Sequence, residues 1–503
     1  MKYTLMHRNI AVIDFEVDDK ENISKVYNIY NLTHLPVGIN MTGKYVNRTQ
    51  LNDWWKNRSI PASRDGLAKL LKEIRISSTA ELIGKSYGLS LSDQYWIKPD
   101  NKDLKWEDIN FFNNEFSEDI GNIIMGVNVK KTNIDLMSPD NTSDGNLKKR
   151  WKIINGKRYL LKSGTGLLQQ EVFNEVLASK IMKLLNIPHI EYDVLWIGNT
   201  PYSICEDFIK DDEDLVPAWR LFLSKKKNNN ADEYNHMLNL AKDNEIPNYI
   251  ESIDKMLVLD YLIANEDRHY NNFGFIRDAI TLKYKKVAPI YDNGCSLGYN
   301  SMSFSKNFNP DWKPFMHGKI TSQLELVSTF DWLDISKLND IDKMVNDTYP
   351  NKVEYKNRIK EISRLINYRI EKLKQFINQK VVDINSFGDY LKKLRKIKNI
   401  SMQELANRLN ITKSFLSLIE NGKKLVPLDY ADKITKIFDL NNQEKEILKS
   451  TIQYSNNRVE ISLNNMNESQ KKVSIEFAKQ INDATPEMIE DLEKILSRNS
   501  KSN

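Results

Sequence analysis

Residues 260–274 read DYLIANEDRHYNNFG. An apolar helical pattern ends here in a polar cluster that holds Asp267, His269, Asn271 and Asn272, in a chain with only six histidines. A carboxylate and an amide oxygen are hard donors, which suit Mg²⁺ better than zinc. The cluster is therefore a candidate site for handling a proton and a metal ion.

The spacing in this cluster is that of a phosphotransferase. In protein kinases an Asp receives the proton of the acceptor hydroxyl, an Asn five residues later binds metal, and a second Asp completes the metal site. Asp267 and Asn272 have this spacing. The following GFIRDAITLKYKKVAPIYDNG predicts two strands joined by a turn. Pairing of residues 273–277 with 286–290 would bring Asn272 beside Asp292, which is the candidate second metal ligand.

The upstream sequence has the order of a kinase nucleotide site. Residues 138–166 read SPDNTSDGNLKKRWKIINGKRYLLKSGTG. Asp144-Gly145 suggests a turn over the phosphates, and Asn155-Gly156 predicts a two-residue hairpin because both positions favour positive φ. Lys162 ends the second strand of that hairpin. It is the candidate lysine for the ATP phosphates.

A helical pattern over residues 168–187 carries Glu171 and Glu175 at i and i+4, so either carboxylate can hold the lysine. The segment CEDFI, residues 205–209, lies where a connection would present backbone groups to adenine. Glu206 and Phe208 are therefore candidate ATP contacts.

Other interpretations exist for each residue taken alone. Asp267 with His269 can form a capped turn or half of a metal site, and Asp292 can be a turn residue. The chain has no His-Glu-x-x-His and no Cys/His grouping, which argues against a zinc hydrolase. The ordered set favours the kinase interpretation.

The segments NEDRHYNNFG and PIYDNG resemble the signature of the HipA-like serine/threonine kinases, the toxin components of bacterial HipBA modules. The resemblance covers roughly residues 128–380. It implies a bilobal kinase-like body, also similar to phosphatidylinositol-type kinases, with ATP and Mg²⁺ as cofactors. By residue it implies the following roles: Asp267 as catalytic base, Asn272 and Asp292 on Mg²⁺, Lys162 on the ATP phosphates, Glu175 as the lysine partner, and His269 as support for the loop.

The phosphate-covering loop departs from this pattern. It carries a single glycine, so its backbone is less free to wrap phosphates than a multi-glycine loop. The resemblance also implies autophosphorylation of a serine in this loop. The candidates are Ser138, Thr142 and Ser143.

Residues 387–425 carry a second pattern, FGDYLKKLRKIKNISMQELANRLNITKSFLSLIENGKKL. Ser401 with Glu404 predicts a capping box, and Thr412 predicts the cap of a second helix that ends at Asn421-Gly422. This is a helix-turn-helix plan, and the stretch resembles the Xre/Cro family. Residues 387–450 hold 13 Lys and Arg against 8 Asp and Glu, a net +5 that equals the charge of the whole chain. Double-stranded DNA is the predicted partner.

The resemblance assigns the contact positions of this domain. They are Lys413, Ser414, Phe415 and Ser417 on the recognition helix and Lys423 and Lys424 on phosphate. Two residues depart from the family pattern. Met402 stands where a polar residue that clamps phosphate is common, and Leu418 stands where an Arg or Gln often reads bases. Leu418 offers only an apolar contact, for example to a thymine methyl group. A homodimer, with the tail helices as dimer elements, would strengthen sequence-specific binding.

Composition and length set the organisation. The 503 residues are 40% hydrophobic and 28% charged, which suits a globular protein of several domains. Two cysteines are too few for a disulfide framework, and we expect no secretory signal and no membrane span, hence a bacterial cytoplasmic protein.

The predicted fold class is α+β, a bilobal kinase-like body with a small all-α helix-turn-helix domain at the C-terminus. The predicted divisions are residues 1–127 (N-terminal region), 128–210 (N-lobe), 211–380 (C-lobe), 386–452 (helix-turn-helix) and 453–503 (helical tail).

The predicted function is a HipA-like protein serine/threonine kinase combined with a DNA-binding regulator in one chain. Its protein substrate is not identified by any residue, and the resemblance implies a translation factor or an aminoacyl-tRNA synthetase as the candidates. One alternative is a transcriptional regulator whose kinase-like body senses nucleotide or is inactive. A second alternative is a small-molecule or lipid kinase, because the catalytic loop does not define the acceptor.

Overall fold

The computed structural model describes residues 1–19, 22–61, 63–64, 66–127, 133–227, 232–301, 320–382, 387–397, 400–427, 429–440, 442–456, 463, 466–481, 485 and 488. The chain divides into two compact units, residues 1–374 and 375–503. The predicted domain boundaries at residues 128 and 386 lie outside the described residues, as does most of the second predicted tail helix, TPEMIEDLEKIL.

The described strands are listed in chain order: β1 Lys2–His7, β2 Ile10–Val17, β3 Ile23–Ile29, β4 Met41–Thr42, β5 Tyr45–Val46, β6 Tyr95–Pro99, β7 Lys149–Ile154, β8 Lys157–Ser163, β9 Asp193–Ile197, β10 Thr200–Glu206, β11 Glu213–Pro217, β12 Gly274–Asp278 and β13 Tyr284–Val287.

The described α-helices follow in the same way: α1 Arg48–Lys56, α2 Leu67–Ile74, α3 Thr79–Lys85, α4 Trp106–Ile109, α5 Asp119–Ile124, α6 Gln170–Leu184, α7 Ala218–Leu223, α8 Glu233–Asp243, α9 Tyr249–Leu262, α10 Ile320–Glu325, α11 Ile341–Thr348, α12 Val353–Val382, α13 Phe387–Ile397, α14 Met402–Leu409, α15 Lys413–Glu420, α16 Tyr430–Phe438, α17 Asn442–Ser455 and α18 Glu468–Gln480. Short 3-10 helices include Pro139–Thr142.

The first unit contains three main sheets. The N-terminal residues form an antiparallel sheet in the order β3-β2-β1-β6, a second sheet has the order β7-β8-β10-β9, and a third has the order β11-β12-β13. A buried apolar cluster joins the first sheet to the third, with Met6 and Trp96 on one side and Ile276 and Ala288 on the other. The N-terminal residues thus share a core with the kinase-like body.

The second sheet is built on the predicted hairpin. Asn155 and Gly156 have φ of 52° and 78°, so both central turn positions are left-handed, as a tight hairpin turn requires. The register Ile154↔Lys157 continues to Lys149↔Lys162. Helix α6 packs against this sheet with almost every side chain buried.

The DYLIANEDRHYNNFG segment joins α9 to β12. Apolar residues cover most of the circumference of α9, which makes it a core helix, and Ala264 with φ of 49° ends it. The predicted hairpin downstream forms, but between Gly274–Asp278 and Tyr284–Val287 and not between residues 273–277 and 286–290, with Phe275 opposite Val287 and Ile276 opposite Lys286. The polar cluster is therefore held between a buried helix and a buried strand.

The second unit has a helical core. Leu405, Leu416 and Ile419 are among its buried residues. The predicted cap of α15 forms, because Thr412 Oγ1 accepts a hydrogen bond from the Phe415 N–H at 3.1 Å. The predicted capping box forms only in part. Ser401 accepts from the Glu404 N–H, whereas the Glu404 carboxylate pairs with Arg408 at 2.6 Å.

A close approach in this unit depends on a glycine. A Cβ on Gly388 would lie 1.9 Å from the Glu420 carbonyl oxygen, so α13 reaches the end of α15 only because residue 388 has no side chain. Arg395 of the same helix forms a two-pronged ion pair with the buried Glu420 carboxylate at 2.7 and 3.0 Å. These contacts fix the C-terminal end of α15.

The mixed α/β first unit and the helical second unit agree with the predicted fold class. The predicted tail pattern VSIEFAKQI falls largely within α18. None of the helices in the described residues is both long and apolar enough to span a bilayer.

Candidate active site

A buried lysine joins three elements at the centre of the first unit. Lys162 Nζ, at the end of β8, lies 3.3 Å from Glu175 Oε1 on α6 and 2.9 Å from Asp292 Oδ1 after β13. Burial opposes the charge on Lys162, but the Asp292 and Glu175 carboxylates hold its pKa well above the ordinary value. Lys162 is therefore a charged anchor between two carboxylates.

The two helix glutamates have separate partners. Glu175 Oε2 accepts a hydrogen bond from the Asn293 N–H at 2.8 Å, so Glu175 connects the lysine to the segment after β13. Glu171 instead accepts from the backbone N–H and the hydroxyl of Thr165. The structure thus brings Glu175, and not Glu171, to Lys162.

Asp292 has an unusual backbone and a strongly acidic side chain. Its φ of 59° lies in the left-handed region, which is costly for a residue with a Cβ and is typical of functional sites. Burial opposes ionisation, yet the charges of Lys162 and Lys149 bring the pKa of Asp292 far below its usual range. The carboxylate is therefore ionised at any physiological pH.

The loop after α9 presents Asp267 to the cleft. About half of the Asp267 side chain is exposed. Partial burial and the Asp292 charge raise its pKa, against a lowering by His269. Its backbone N–H is held by Asn265 Oδ1 at 3.0 Å. A carboxylate in this position is a better proton acceptor than a free one.

His269 lies beside Asp267, with 3.9 Å between Nε2 and Asp267 Oδ1. Its Nδ1 accepts a hydrogen bond from the Asn271 N–H at 3.2 Å, which places the ring proton of neutral His269 on Nε2. The ring therefore supports the loop and faces the carboxylate.

Two hard oxygen donors remain for a metal ion. Asn272 Nδ2 donates to the Asp267 carbonyl oxygen at 2.8 Å, which leaves the amide oxygen of Asn272 as the available acceptor. Lys162 contacts Asp292 Oδ1, which leaves Oδ2. Within the described ranges no group of three or more His, Cys, Asp and Glu side chains could hold a metal. An amide and a carboxylate, completed by phosphate oxygens and water, suit Mg²⁺.

Arg268 holds the loop after α9 in place through hydrogen bonds on its buried side. It is buried, and its Nε and Nη2 donate to the two oxygens of Asp260 at 2.9 and 3.0 Å. Nη2 also donates to Asn293 Oδ1 at 2.7 Å, and Nη1 donates to the carbonyl oxygens of Asn272 and Tyr291. One side chain thus connects α9, the loop with Asp267, and the segment with Asp292.

An apolar slot lies next to this centre. It is lined by Leu160, Ile190, Tyr192, Cys205, Phe208 and Tyr291. The rings of Phe208 and Tyr291 stack at 5.6 Å. Glu206 lines the same cavity, but its carboxylate pairs with Lys157 at 2.8 Å on the exposed side of the hairpin. Phe208 therefore has its ring in the slot, whereas Glu206 can contribute mainly its backbone.

The loop before β7 covers the charged side of the cleft. Asp144 and Gly145 both line the cavity, and a Cβ on Gly145 would lie 2.7 Å from Lys149 Nζ. Burial and the charge of Lys162 lower the pKa of Lys149 to about 8. The loop therefore lies against the Lys149 ammonium group, and Lys149 is directly opposite Lys162 on the neighbouring strand.

Residues of the N-terminal region hold the loop before β7 through hydrogen bonds. Buried Arg64 donates to the Gly145 carbonyl oxygen at 2.9 Å, to Ser143 Oγ at 2.7 Å and to the Ser143 carbonyl oxygen. Ser63 Oγ donates to Asn146 Oδ1 at 2.6 Å. Ser63 and Arg64 of the N-terminal region thus hold the loop through direct hydrogen bonds.

The three candidate phosphorylation sites differ in access. Ser138 is fully buried and caps the 3-10 helix through hydrogen bonds with Asp140. Thr142 and Ser143 line the cavity, and each hydroxyl donates to a backbone carbonyl, of Leu89 for Thr142 and of Asp140 for Ser143. Only these two face the cleft.

The candidate DNA-contacting residues share one helix and the turn that follows it. Lys413 and Ser414 are exposed at the start of α15, whereas Phe415 and Ser417 are half-buried. Lys423 and Lys424 are exposed after α15, and Lys424 Nζ lies 5.2 Å from the centre of the Phe415 ring. Leu418 is exposed on the same helix.

Sequence reasoning missed three residues of this site: Arg64, Lys149 and Arg268. The hairpin register provided a signal for Lys149, because a turn at Asn155-Gly156 places it directly opposite Lys162. Arg268 stands within the catalytic segment, but no spacing rule connects it to Asp260. Arg64 is distant in sequence from the loop that it holds.

Comparison with protein families gives two matches. Residues 128–366 match the family described as HipA-like C-terminal domain, and residues 391–441 match a helix-turn-helix family. A comparison with curated protein sequences finds no significant match.

Two solved structures are similar in part. The proinflammatory kinase CtkA of Helicobacter pylori is 19% identical, with 44% of this chain and 90% of that chain covered and a TM-score of 0.36. A chain of the toxin–antitoxin complex of HipA, HipB and operator DNA from Shewanella oneidensis MR-1 is 14% identical. The match covers 75% of this chain and 98% of that chain, with a TM-score of 0.49.

Replacement of Arg268 tests its role as the connector. Arg268→Lys keeps the charge but cannot reach Asp260, Asn272 and Asn293 together, so we expect a loss of roughly 2–5 kcal/mol in the free energy of unfolding. Hydrogen exchange should increase over both residues 263–273 and 289–296. Arg48→Lys, at an exposed arginine bonded to the Ser24 carbonyl oxygen, is the control. If hydrogen exchange in Arg268→Lys increased in only one of these two segments, the connecting role of Arg268 would be contradicted.

Proposed function

We propose that this chain, a HipA-like domain followed by a helix-turn-helix domain, is an ATP-dependent protein serine/threonine kinase with a DNA-binding regulator in the same polypeptide. The observation that carries the proposal is the position of Lys162, within 3.3 Å of Glu175 and 2.9 Å of Asp292. This ion-pair network is what a kinase needs to hold the phosphates beside a metal site.

Each residue of the cleft has a separate role in phosphoryl transfer. The acceptor hydroxyl oxygen attacks the γ-phosphorus, its proton passes to the Asp267 carboxylate, and the bond to the β-phosphate oxygen breaks to release ADP. The raised pKa of Asp267 suits it for this proton. Lys162 and Lys149 hold the phosphates, and His269 keeps the loop in position.

A divalent ion fits the two free oxygens. Asn272 Oδ1 and Asp292 Oδ2 would hold Mg²⁺, which neutralises charge on the transferring phosphoryl group when it is bound. The apolar slot between Leu160 and Tyr291 would take adenine, with the backbone of residues 205–209 along its edge.

Regulation follows from the same arrangement. Autophosphorylation of Thr142 or Ser143 would remove the hydroxyl hydrogen bonds of the loop, and a phosphate on Ser143 would draw the Arg64 guanidinium away from the carbonyl oxygens of Ser143 and Gly145. The helix-turn-helix domain would bind the operator of the chain's own promoter, as in a toxin–antitoxin pair, with kinase and DNA-binding domain fused.

The proposed base is tested by matched substitutions at neighbouring positions. Asp267→Ala and Asn272→Ala should each reduce transfer from radiolabelled ATP to the chain or to a lysate protein by 10²-fold or more. Asn271→Ala should change it little, since only the backbone of Asn271 has partners in the described structure.

The distribution of the label separates the alternatives. Label only in small molecules or lipid would indicate a different kinase class, and no label from the unmutated chain would favour a regulator with an inactive body. Full transfer by Asp267→Ala would reject Asp267 as the base.

Lys149 predicts a pH dependence of ATP binding. Its pKa of about 8 in the free protein should rise when phosphate is bound, so the complex holds more protons than the free chain above pH 8. ATP affinity should therefore fall by up to about tenfold per pH unit above pH 8. Calorimetry at pH 8.5 in buffers of different ionisation enthalpy should detect proton uptake.

Lys149→Met should remove this proton uptake, whereas Lys148→Met, at the residue directly before β7, should retain it. Equal uptake in both variants would assign the proton to another group.

The DNA-binding role is tested by its salt dependence. Lys423→Ala combined with Lys424→Ala should reduce the slope of log affinity against log salt by about two, because each phosphate contact contributes close to one. Lys449→Ala, at a lysine paired with Glu446, is the control. The measurement uses the chain's own promoter fragment, and equal binding to random DNA would reject operator recognition.

A further inference from the structure

The active-site cavity continues beyond the nucleotide site. Its volume is about 1140 Å³, which exceeds the roughly 300–1,000 Å³ of a typical small-molecule site. The lining passes from Lys162, Asp267 and Asp292 to Val37, Arg58 and Arg220. The N-terminal residues therefore contribute a second part of the wall of the cavity that Asp267 also lines.

Arg220 is connected to the catalytic loop by backbone hydrogen bonds. At the start of α7, the Ala218 N–H donates to the Phe273 carbonyl oxygen at 3.0 Å and the Trp219 N–H donates to the Tyr270 carbonyl oxygen at 2.9 Å. Arg220 is the next residue. Its position relative to the Asp267 loop is therefore set by two direct backbone contacts.

The N-terminal residues hold α7 from the other side. A Cβ on Gly38 would lie 2.8 Å from the Arg220 carbonyl oxygen, and Asn40 Nδ2 donates to the Leu223 carbonyl oxygen at 3.0 Å. Residues 38–40 and the catalytic loop thus fix α7 between them, so Arg220 does not depend on a flexible loop for its place.

The guanidinium of Arg220 lacks a counterion. It is half-buried, and none of the residues in the described ranges accepts a hydrogen bond from it or pairs with it within 4 Å. Its neighbour Arg58 is fully engaged with Asp93 and with the carbonyl oxygens of Gly88 and Tyr95. Burial and the Arg58 charge lower the pKa of Arg220, whereas the Asp53 and Asp93 carboxylates, which form no ion pair with it within 4 Å, raise it.

A partly buried cation on a cavity wall favours an anionic ligand. We propose that Arg220 forms an acceptor subsite that binds a carboxylate of the protein substrate, so that the kinase selects a hydroxyl residue in an acidic segment. This inference rests on the proposed kinase function and adds the class of acceptor to it.

The surroundings favour an acidic peptide over a nucleic acid. The same wall contains Pro36 and Val37, which suit the aliphatic side chains of a peptide. Lys56 is a second lining cation, exposed and without an ion pair among the described residues. Two cations beside an apolar wall match one or two carboxylates, and a planar guanidinium binds a carboxylate through two parallel hydrogen bonds.

The test uses peptides and needs no knowledge of the natural substrate. Fluorescently labelled peptides with one serine in a neutral background carry Glu, Gln or Lys at the flanking positions, and their affinity for the full chain is measured by anisotropy. The unmutated chain should prefer the Glu peptide to the Gln peptide by about tenfold. Arg220→Gln should lose this preference, Arg220→Lys should keep part of it, and Arg220→Glu should prefer the Lys peptide.

The control is Arg75→Gln, at an exposed arginine away from the cavity, which should retain the full preference. Equal affinity of the unmutated chain for Glu and Gln peptides, or an unchanged preference in Arg220→Gln, would overturn the proposal. So would an Arg220-dependent binding of single-stranded RNA with no binding of the acidic peptide.

The binding readout separates this inference from the kinase assignment. Asp267→Ala should bind the Glu peptide with the same preference as the unmutated chain, since Asp267 acts in transfer. An Arg220-dependent preference in a chain that transfers no label from ATP to itself, to a lysate protein or to a serine peptide would support the subsite and reject the kinase function.

Discussion

The buried guanidinium of Arg268 is the constraint on which the cleft depends. Its five N–H groups have five acceptors, two on Asp260 and one each on Asn293, Asn272 and Tyr291. A buried charge is tolerated only when it is paired and hydrogen-bonded in this way. The loop after α9, which carries Asp267, and the segment after β13, which carries Asp292, are therefore joined through one side chain.

A second buried network joins the N-terminal sheet to the body. Asp214 of β11 contacts His7 of β1 at 3.1 Å and Arg277 of β12 at 2.8 Å. Burial alone would raise the pKa of Asp214, but His7 and Arg277 lower it to about 2. Arg64, which donates hydrogen bonds to Ser143 and Gly145, thus belongs to a region that buried charges join to the body.

Sequence patterns predicted the elements that depend on local rules. The hairpin followed from Asn155-Gly156, and the juxtaposition of the loop after α9 with Asp292 followed from strand pairing. The separate interactions of Glu171 and Glu175 could not be predicted from helical spacing, since both lie on the same face and only tertiary contacts distinguish them. The partner of Arg268 also required the fold, because Asp260 is eight residues away on a helix that has already ended.

The role of the first 127 residues had no sequence signal because it acts through backbone acceptors. A loop rich in glycine adapts its backbone to phosphates by itself, whereas this loop has one glycine between Ser138 and Trp151. Arg64 occupies the carbonyl oxygens of Ser143 and Gly145, which would otherwise be free to repel phosphate oxygens. An arginine supplied from a distant part of the chain thus provides the loop order that local sequence does not. Other N-terminal residues, among them Val37 and Arg58, line the same cavity as Asp267, so one region both holds this loop and borders the cleft.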